Sequence, residues 1–255
     1  MCCAIFIPQG SKLPKEHLEQ AFKNNSEGGG FAYIENGEVK IQKGFFKFEE
    51  MWDAFNAVQQ TNNAAKLCHV RKKSYGKIDA ENCHPFQIDA QHAISHNGTV
   101  WEFSVANASY SDTSAFTLNI LKPLFAEYPE FYKTKYGRWL IEEAIGSLNK
   151  MIILDANGDY RIFNESEGHW NGAVWYSNKS YEPPPPPKKK SKKHKKSVGW
   201  YRPRNGSKKK RIKGYRYPNS TNMLTQQQMN ELTHKFGLRM KDLARRGDVE
   251  IVPVD

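Results

Sequence analysis

Long apolar runs are missing from this 255-residue chain. No stretch reaches the roughly 18 apolar residues that a membrane span requires, so no membrane partner is expected. The apolar run from Cys2 to Pro8 is short and lacks basic flanks, so it reads as a buried first strand and not as a secretory leader. Cysteine is scarce. Cys2, Cys3, Cys68 and Cys83 show no disulfide-rich spacing, which points to a reducing, cytoplasmic setting. A phosphate-cradling glycine loop is also missing, because Gly28-Gly29-Gly30 lacks the lysine and spacing of a P-loop. The pairs Cys68-His69 and Cys83-His84 invite a zinc reading together with Cys2 or Cys3, but they match no usual ligand spacing. Neither a metal nor an organic cofactor is expected.

Acidic side chains are absent from one segment, and that absence explains the net charge of +11. Residues 183–217 carry 15 Lys and Arg and no acid, whereas residues 1–182 carry 18 basic and 22 acidic side chains. The basicity is therefore a module, not a property of a basic fold. Pro183 to Pro187 read as a stiff polyproline spacer, followed by the lysine runs 188–196 and 208–213, which cannot build a core. Residues 183–217 are expected to be a disordered linker. Over 188–216 its charge and its Trp200, Tyr201, Tyr215 and Tyr217 suit non-specific contact with nucleic acid, a solvated linker being the alternative. Residues 218–255 read as a small helical hairpin, with Leu224, Met229, Leu232 and Phe236 apolar and Gly237 as a stop.

Residues 1–182 form the expected main domain. Strands are expected over 2–7, 30–34, 39–44, 66–71, 91–95, 151–155 and 160–164. Helices are expected over 14–22, 49–59, 114–125 and 137–148. Asn36-Gly37 and Asn157-Gly158 mark hairpins. Strands grouped as hairpins, with helices grouped apart, favour an α+β fold with antiparallel sheets over a βαβ pattern.

Cys2 carries the first chemical signal. Removal of Met1 would place a free α-amine, titrating near ~7.7–8.0, beside a thiol titrating near ~8.5, a nucleophile with its own base. Further along stand His69-Val70-Arg71, Asn82-Cys83-His84-Pro85-Phe86, His96-Asn97-Gly98 and Ser111-Asp112-Thr113, after Asn25-Ser26-Glu27-Gly28-Gly29-Gly30. In this order the motifs resemble the class II, N-terminal-nucleophile (Ntn) glutamine amidotransferases, in a small stand-alone form of the sort also found in phage genomes. The resemblance covers about residues 1–182, including the closing 172–181 stretch. It implies a four-layer αββα Ntn-hydrolase sandwich of two antiparallel sheets.

The resemblance also implies roles. Cys2 would attack the side-chain amide of glutamine and form a γ-glutamyl thioester. Asn97, through its amide, and Gly98, through its N–H, would hold the oxyanion. Arg71 would clamp the substrate carboxylate, Asp112 would accept its ammonium, and His96 would stand on the substrate side. Residues 72–78 match a loop that closes over the substrate. The chain has no room for a synthase domain, so ammonia would pass to a separate acceptor enzyme.

Each residue also has a plainer role. Asp112 could cap a helix starting at Ser114, Asn97-Gly98 could be a hairpin turn, and Arg71 could be a surface ion pair. His69, His84 and His96 suit structural hydrogen bonding better than catalysis. Cys3 stands where the family has glycine, Ala4 where isoleucine is common, Glu27 where aspartate is typical, and Lys72 where an aromatic is usual. A different small amide therefore stays open as the substrate.

Overall fold

Two antiparallel sheets organise the residues that the computed structural model describes, 2–104 and 109–183. Residues 184–255, which hold the expected 183–217 linker beyond Pro183, its 188–216 contact segment and the helical module over 218–255, lie outside the described residues. In chain order the elements are β1 (Cys3–Ile7), α1 (Lys15–Asn24), β2 (Gly29–Glu35), β3 (Glu38–Phe45), α2 (Phe48–Thr61), β4 (Lys66–Val70), β5 (Phe86–Gln87) and β6 (His92–Asn97). Then come α3 (Asp112–Phe116), α4 (Lys122–Glu127), α5 (Lys135–Ile145), β7 (Lys150–Asp155), β8 (Tyr160–Phe163), β9 (His169–Asn171) and β10 (Val174–Tyr176). The first sheet runs β3-β2-β4-β1-β10-β9 and the second β5-β6-β7-β8. Among the described residues no helix is long and apolar enough to cross a membrane.

Three apolar clusters give the layering. Ala4, Phe6, Leu67, Ala93, Ile152, Leu154 and Trp175 fill the space between the sheets. Ile5, Ile7, Cys68 and Val70 look the other way, onto Leu18 and Phe22 of α1 and Met51 and Phe55 of α2. Ile94, Met151 and Ile153 meet Phe116, Phe125, Leu140 and Ile141 of the remaining helices. The order is helices, sheet, sheet, helices, an α+β fold with three buried seams. Because alternate strand residues face opposite sides and both sides are covered, β1 and the middle of β7 are apolar throughout, and β4 is buried at every position. Truncating Phe6 or Trp175 would cost about 3–5 kcal/mol, since both are fully buried between the sheets.

Local chemistry accounts for most element boundaries. The β2–β3 hairpin turns on Asn36 and Gly37, with φ of 53° and 74°, the pair of positive values a two-residue hairpin turn needs. The helix expected from Ser114 starts two residues earlier and widens into a π turn over Thr117–Leu121. That widening sits just before Pro123, which lacks the N–H an α-turn would use. The helix expected to reach Leu148 ends at Ile145, before Gly146. The short strands β5, β9 and β10 escape the sequence pattern because two or three residues show no periodicity.

Candidate active site

Strand parity and register bring three of the expected residues, Cys2, Arg71 and Asn97, to one end of the inter-sheet space. Cys2 has the parity of Ala4 and Phe6, which face the second sheet. Cys3 pairs with Val70 in the β1–β4 ladder, so the next step places Cys2 beside Arg71, which shares the parity of Leu67. On β6, Ala93 faces the first sheet and Ile94 faces the helices. Asn97 therefore turns toward Cys2 and His96 turns away.

The Cys2 thiol sits in a backbone fork. Its Sγ accepts the Lys72 N–H at 3.3 Å and donates to the Lys72 carbonyl at 3.2 Å. Burial pushes this thiol up, while the Lys72 backbone contact and the Arg71 charge pull the other way. Asn178 Nδ2 donates to the Cys2 carbonyl at 2.6 Å, anchoring the start of the strand from the segment after β10. The neighbouring Cys3 faces α1 and α2 and is fully buried, and burial raises its thiol to about 11. A proton that tightly held makes Cys3 a poor rival nucleophile.

Arg71 is no surface ion pair. It is 3% exposed, with Nη1 donating to the Lys77 carbonyl at 2.7 Å and Nη2 to the Tyr75 carbonyl at 2.8 Å. Those two bonds hold the 72–78 loop against the guanidinium and leave three of its five N–H groups for other acceptors. Glu27 fastens the loop's entry: its Oε2 accepts the Lys73 N–H at 2.6 Å and its Oε1 lies 3.6 Å from Lys72 Nζ. That N–H bond is the main reason the Glu27 carboxyl titrates below its ordinary range.

Asn97-Gly98 is not a hairpin turn. The chain leaves β6 there and enters a short 3-10 turn over Trp101–Phe103. Gly98 has φ +148°, and a Cβ would fall inside the van der Waals shell of Asn149 Oδ1, so only glycine fits. Asn97 Nδ2 donates to Ser177 Oγ at 2.9 Å, and the same oxygen accepts the Ala4 N–H at 2.9 Å. One N–H of the Asn97 amide remains for a ligand.

Asp112 is not the helix cap either. Ser111 is, its Oγ accepting the Ser114 N–H at 3.2 Å. Asp112 is the first residue of α3, and its Oδ2 accepts the Val100 N–H at 2.7 Å. Burial raises its carboxyl, against the pull of backbone N–H groups and of the Arg71 charge. Its own charge in turn reaches the Cys2 thiol. Thiol, guanidinium and carboxylate thus share one electrostatic environment.

His96 departs from its expected place on the substrate side. Its ring is buried on the helix face, with Nδ1 2.8 Å from Thr113 Oγ1 and Nε2 3.1 Å from Asn149 Oδ1. Both nitrogens are engaged, so the ring positions α3 and the 98–100 turn. His69, His84 and His96 form a buried column, with ring centroids 4.2 Å apart for the first two and 6.5 Å for the last two. Burial drives all three down, His69 to about 3, His96 to about 4 and His84 well below its usual value. The column is neutral at pH 7 and adds no charge to compete with Arg71.

The cysteine–histidine zinc grouping does not assemble among the described residues, where Cys3 and Cys68 face the α1–α2 layer. Cys83 instead donates to the Asp79 carbonyl at 3.3 Å. Sequence reasoning missed Ser177, Asn178, Thr113 and Asn149. Thr113 lies in the Ser111-Asp112-Thr113 motif and Ser177 and Asn178 in the closing 172–181 stretch, but only the fold reveals the partner of each of the four.

No protein-family model and no curated protein matches the chain. Among solved structures it is similar to a glutamine phosphoribosylpyrophosphate amidotransferase from B. subtilis complexed with ADP and GMP, at 13% identity and a TM-score of 0.43. That overlap covers 71% of this chain and 42% of the other, so the chain spans less than half the length of that protein. It is also similar to a glutamine aminotransferase class-II domain protein from Silicibacter pomeroyi, at 15% identity and a TM-score of 0.32, over 61% of this chain and 73% of the other.

Proposed function

We propose that the chain is a glutamine amidotransferase-type, Ntn glutaminase that uses Cys2 to release ammonia from the side-chain amide of glutamine. The observation that carries the reading is the meeting of Cys2, Arg71, Asn97 and Asp112, from four separate elements, at one end of the inter-sheet space. With Met1 removed, the Cys2 α-amine takes the thiol proton as sulfur attacks the amide carbon. The remaining Asn97 N–H and the Gly98 N–H stabilise the oxyanion. Collapse expels ammonia, which carries away the transferred proton, and leaves a γ-glutamyl thioester. Water then cleaves the thioester to glutamate and regenerates the thiol. Arg71 and Asp112 read the two α-substituents, which discriminates free glutamine from an amide in a protein chain. The loop over 72–78, already tied to Arg71 and to the thiol, excludes water when it closes. The ammonia goes to a separate acceptor enzyme.

Steady-state ammonia release from glutamine by the full chain and by Cys2→Ala tests the mechanism. Equal turnover would sink it. Intact-mass analysis after exposure to a glutamine-mimicking electrophile reports both Met1 removal and the cysteine that is labelled.

The 15 basic side chains and absent acids of residues 183–217 favour a second, compatible reading, in which this segment holds the enzyme near nucleic acid in a salt-dependent way. A truncation ending at Glu182 that bound DNA or RNA as tightly as the full chain would rule that out.

A further inference from the structure

The far end of the second sheet holds a polar cluster that the amide chemistry does not use. His92 opens β6, Asp155 closes β7, and Glu130 precedes the turn Phe131–Lys133. Among the described residues these three are the one group of His, Cys, Asp or Glu whose ligand atoms all lie within 4.8 Å of one another. The ring of His92 is 3% exposed and packs edge-on against Phe125 and Tyr132.

The tautomer follows from its partners. Nδ1 lies 2.9 and 3.1 Å from the two oxygens of Asp89, which as a carboxylate only accepts. Nδ1 therefore carries a proton, and Nε2 is the nitrogen left to meet a ligand. That Nε2 is buried without a hydrogen-bond partner, and it faces Asp155 Oδ2 at 3.5 Å. A cation placed between Nε2 and Asp155 Oδ2 would give the unpartnered nitrogen a partner. The spacing fits one: ligands ~2.0–2.2 Å from a shared tetrahedral ion lie about 3.3–3.6 Å apart. The Asp89–His92 pair is also the carboxylate–imidazole arrangement that orients metal-bound histidines. Tyr132 donates its O–H to Asp155 Oδ2 at 3.0 Å, fixing the second ligand.

Lys133 meets part of this demand. Its Nζ lies 2.7 Å from Glu130 Oε2, 3.2 Å from Asp155 Oδ2 and 2.8 Å from Asp159 Oδ2. Arg161 Nη2 donates to the Lys133 carbonyl at 3.0 Å and adds a second positive charge nearby. Two cations against Asp89, Glu130, Asp155 and Asp159 leave the cluster net negative, and an ammonium, having only donors, puts none on His92 Nε2 here. We propose that His92 Nε2, Asp155 and Glu130 form a site for a divalent metal of the zinc type, for which Lys133 substitutes when the metal is absent. One imidazole and two carboxylates suit a borderline first-row ion, with the fourth position left to water. Bound there, the metal would tie β6, β7 and the 130–133 turn together.

Zinc titration of the full-length protein, followed by thermal unfolding, with Co²⁺ as a spectroscopic probe, tests the site. One saturable equivalent that raises the melting temperature is expected, with Co²⁺ ligand-field bands but no thiolate charge-transfer band. His92→Gln should abolish the effect. Glu130→Gln, at an exposed position, should weaken Zn²⁺ binding about tenfold or more. Lys133→Met should tighten it about fivefold, because a competing, partly exposed ion pair is gone. A lysine with only a structural role would give no such tightening. The proposal is overturned if the wild type shows no saturable response, if a thiolate band accompanies binding, or if His92→Gln binds as well as the wild type. Should His92→Gln fail to fold, the other two variants decide: opposite shifts support the site, and unchanged affinity in both overturns it.

Discussion

At its Asn97 end, strand β6 delivers a neutral amide and a glycine into the space between two sheets. At its His92 end, five residues away in the same strand, it delivers an imidazole among carboxylates and a lysine. The first end is assembled by parity and backbone: Gly98 at positive φ, Ser177 shared between Asn97 and Ala4, and a column of neutral histidines. The second is assembled by charge, with Lys133 spanning three acids. The difference teaches what each kind of chemistry demands. Amide cleavage needs donors held still in a desolvated wedge, where stray charge would misplace the oxyanion. Cation binding needs accumulated negative charge, whether the cation is an ammonium or a metal.

Activity should separate the two ends most sharply. Cys2→Ala is expected to reduce ammonia release to background, whereas Lys133→Met keeps the wild-type rate. A loss of turnover in Lys133→Met would break the comparison. Next, Asn97→Ala should lower kcat by about 10²–10³-fold through the lost oxyanion donor. Its stability should fall by only about 1 kcal/mol, for the single hydrogen bond to Ser177. A purely structural Asn97 would show the reverse ranking in kinetics and denaturation. Arg71→Lys retains the charge but loses the planar fork, so KM should rise about 10–100-fold. An unchanged KM would remove Arg71 from substrate binding.

Stability against pH reads the histidine column independently of turnover. His69 and His96 titrate near 3 and 4 when folded, below the ordinary 6.5. Below pH 6.5 the unfolded chain therefore binds more protons than the folded one, and stability falls with falling pH. The stabilisation is full above 6.5 and is lost as pH drops toward 4 for His96 and toward 3 for His69, by up to about 1.4 kcal/mol per pH unit for each ring. Urea midpoints between pH 7 and pH 5 measure it, and a flat profile would mean that the histidine column is not neutral and buried.

Much of the fold was legible because hairpin chemistry and helix periodicity are local. The β2–β3 turn follows from Asn36-Gly37, and α1 and α2 follow from their apolar stripes onto the first sheet. What was illegible shares one cause. β1, β4 and β7 are buried on both faces, so apolar residues do not alternate with polar ones and cannot reveal which way each side chain points. His96 shows the consequence. The motif His96-Asn97-Gly98 presents three neighbours as one unit, but strand alternation sends the His96 ring to Thr113 and Asn149 and sends Asn97 the other way. Asp112 shows the converse. Its capping role was plausible from the sequence, and the register of α3 gave that role to Ser111 instead.

The chain's order of residues by itself determined the chemical inventory: a thiol at position 2, an arginine, an amide beside a glycine, an acid at a helix start, and a basic segment kept apart from a mildly acidic domain. These are matters of covalent order and composition. The tertiary structure decided which of them meet. Pairing Cys3 with Val70 sets Cys2 beside Arg71, and a slip of one residue in that register would turn every side chain of β1 to its opposite face. Packing two sheets face to face then brought Asn97 to the same end, and left His92 among the acids at the other.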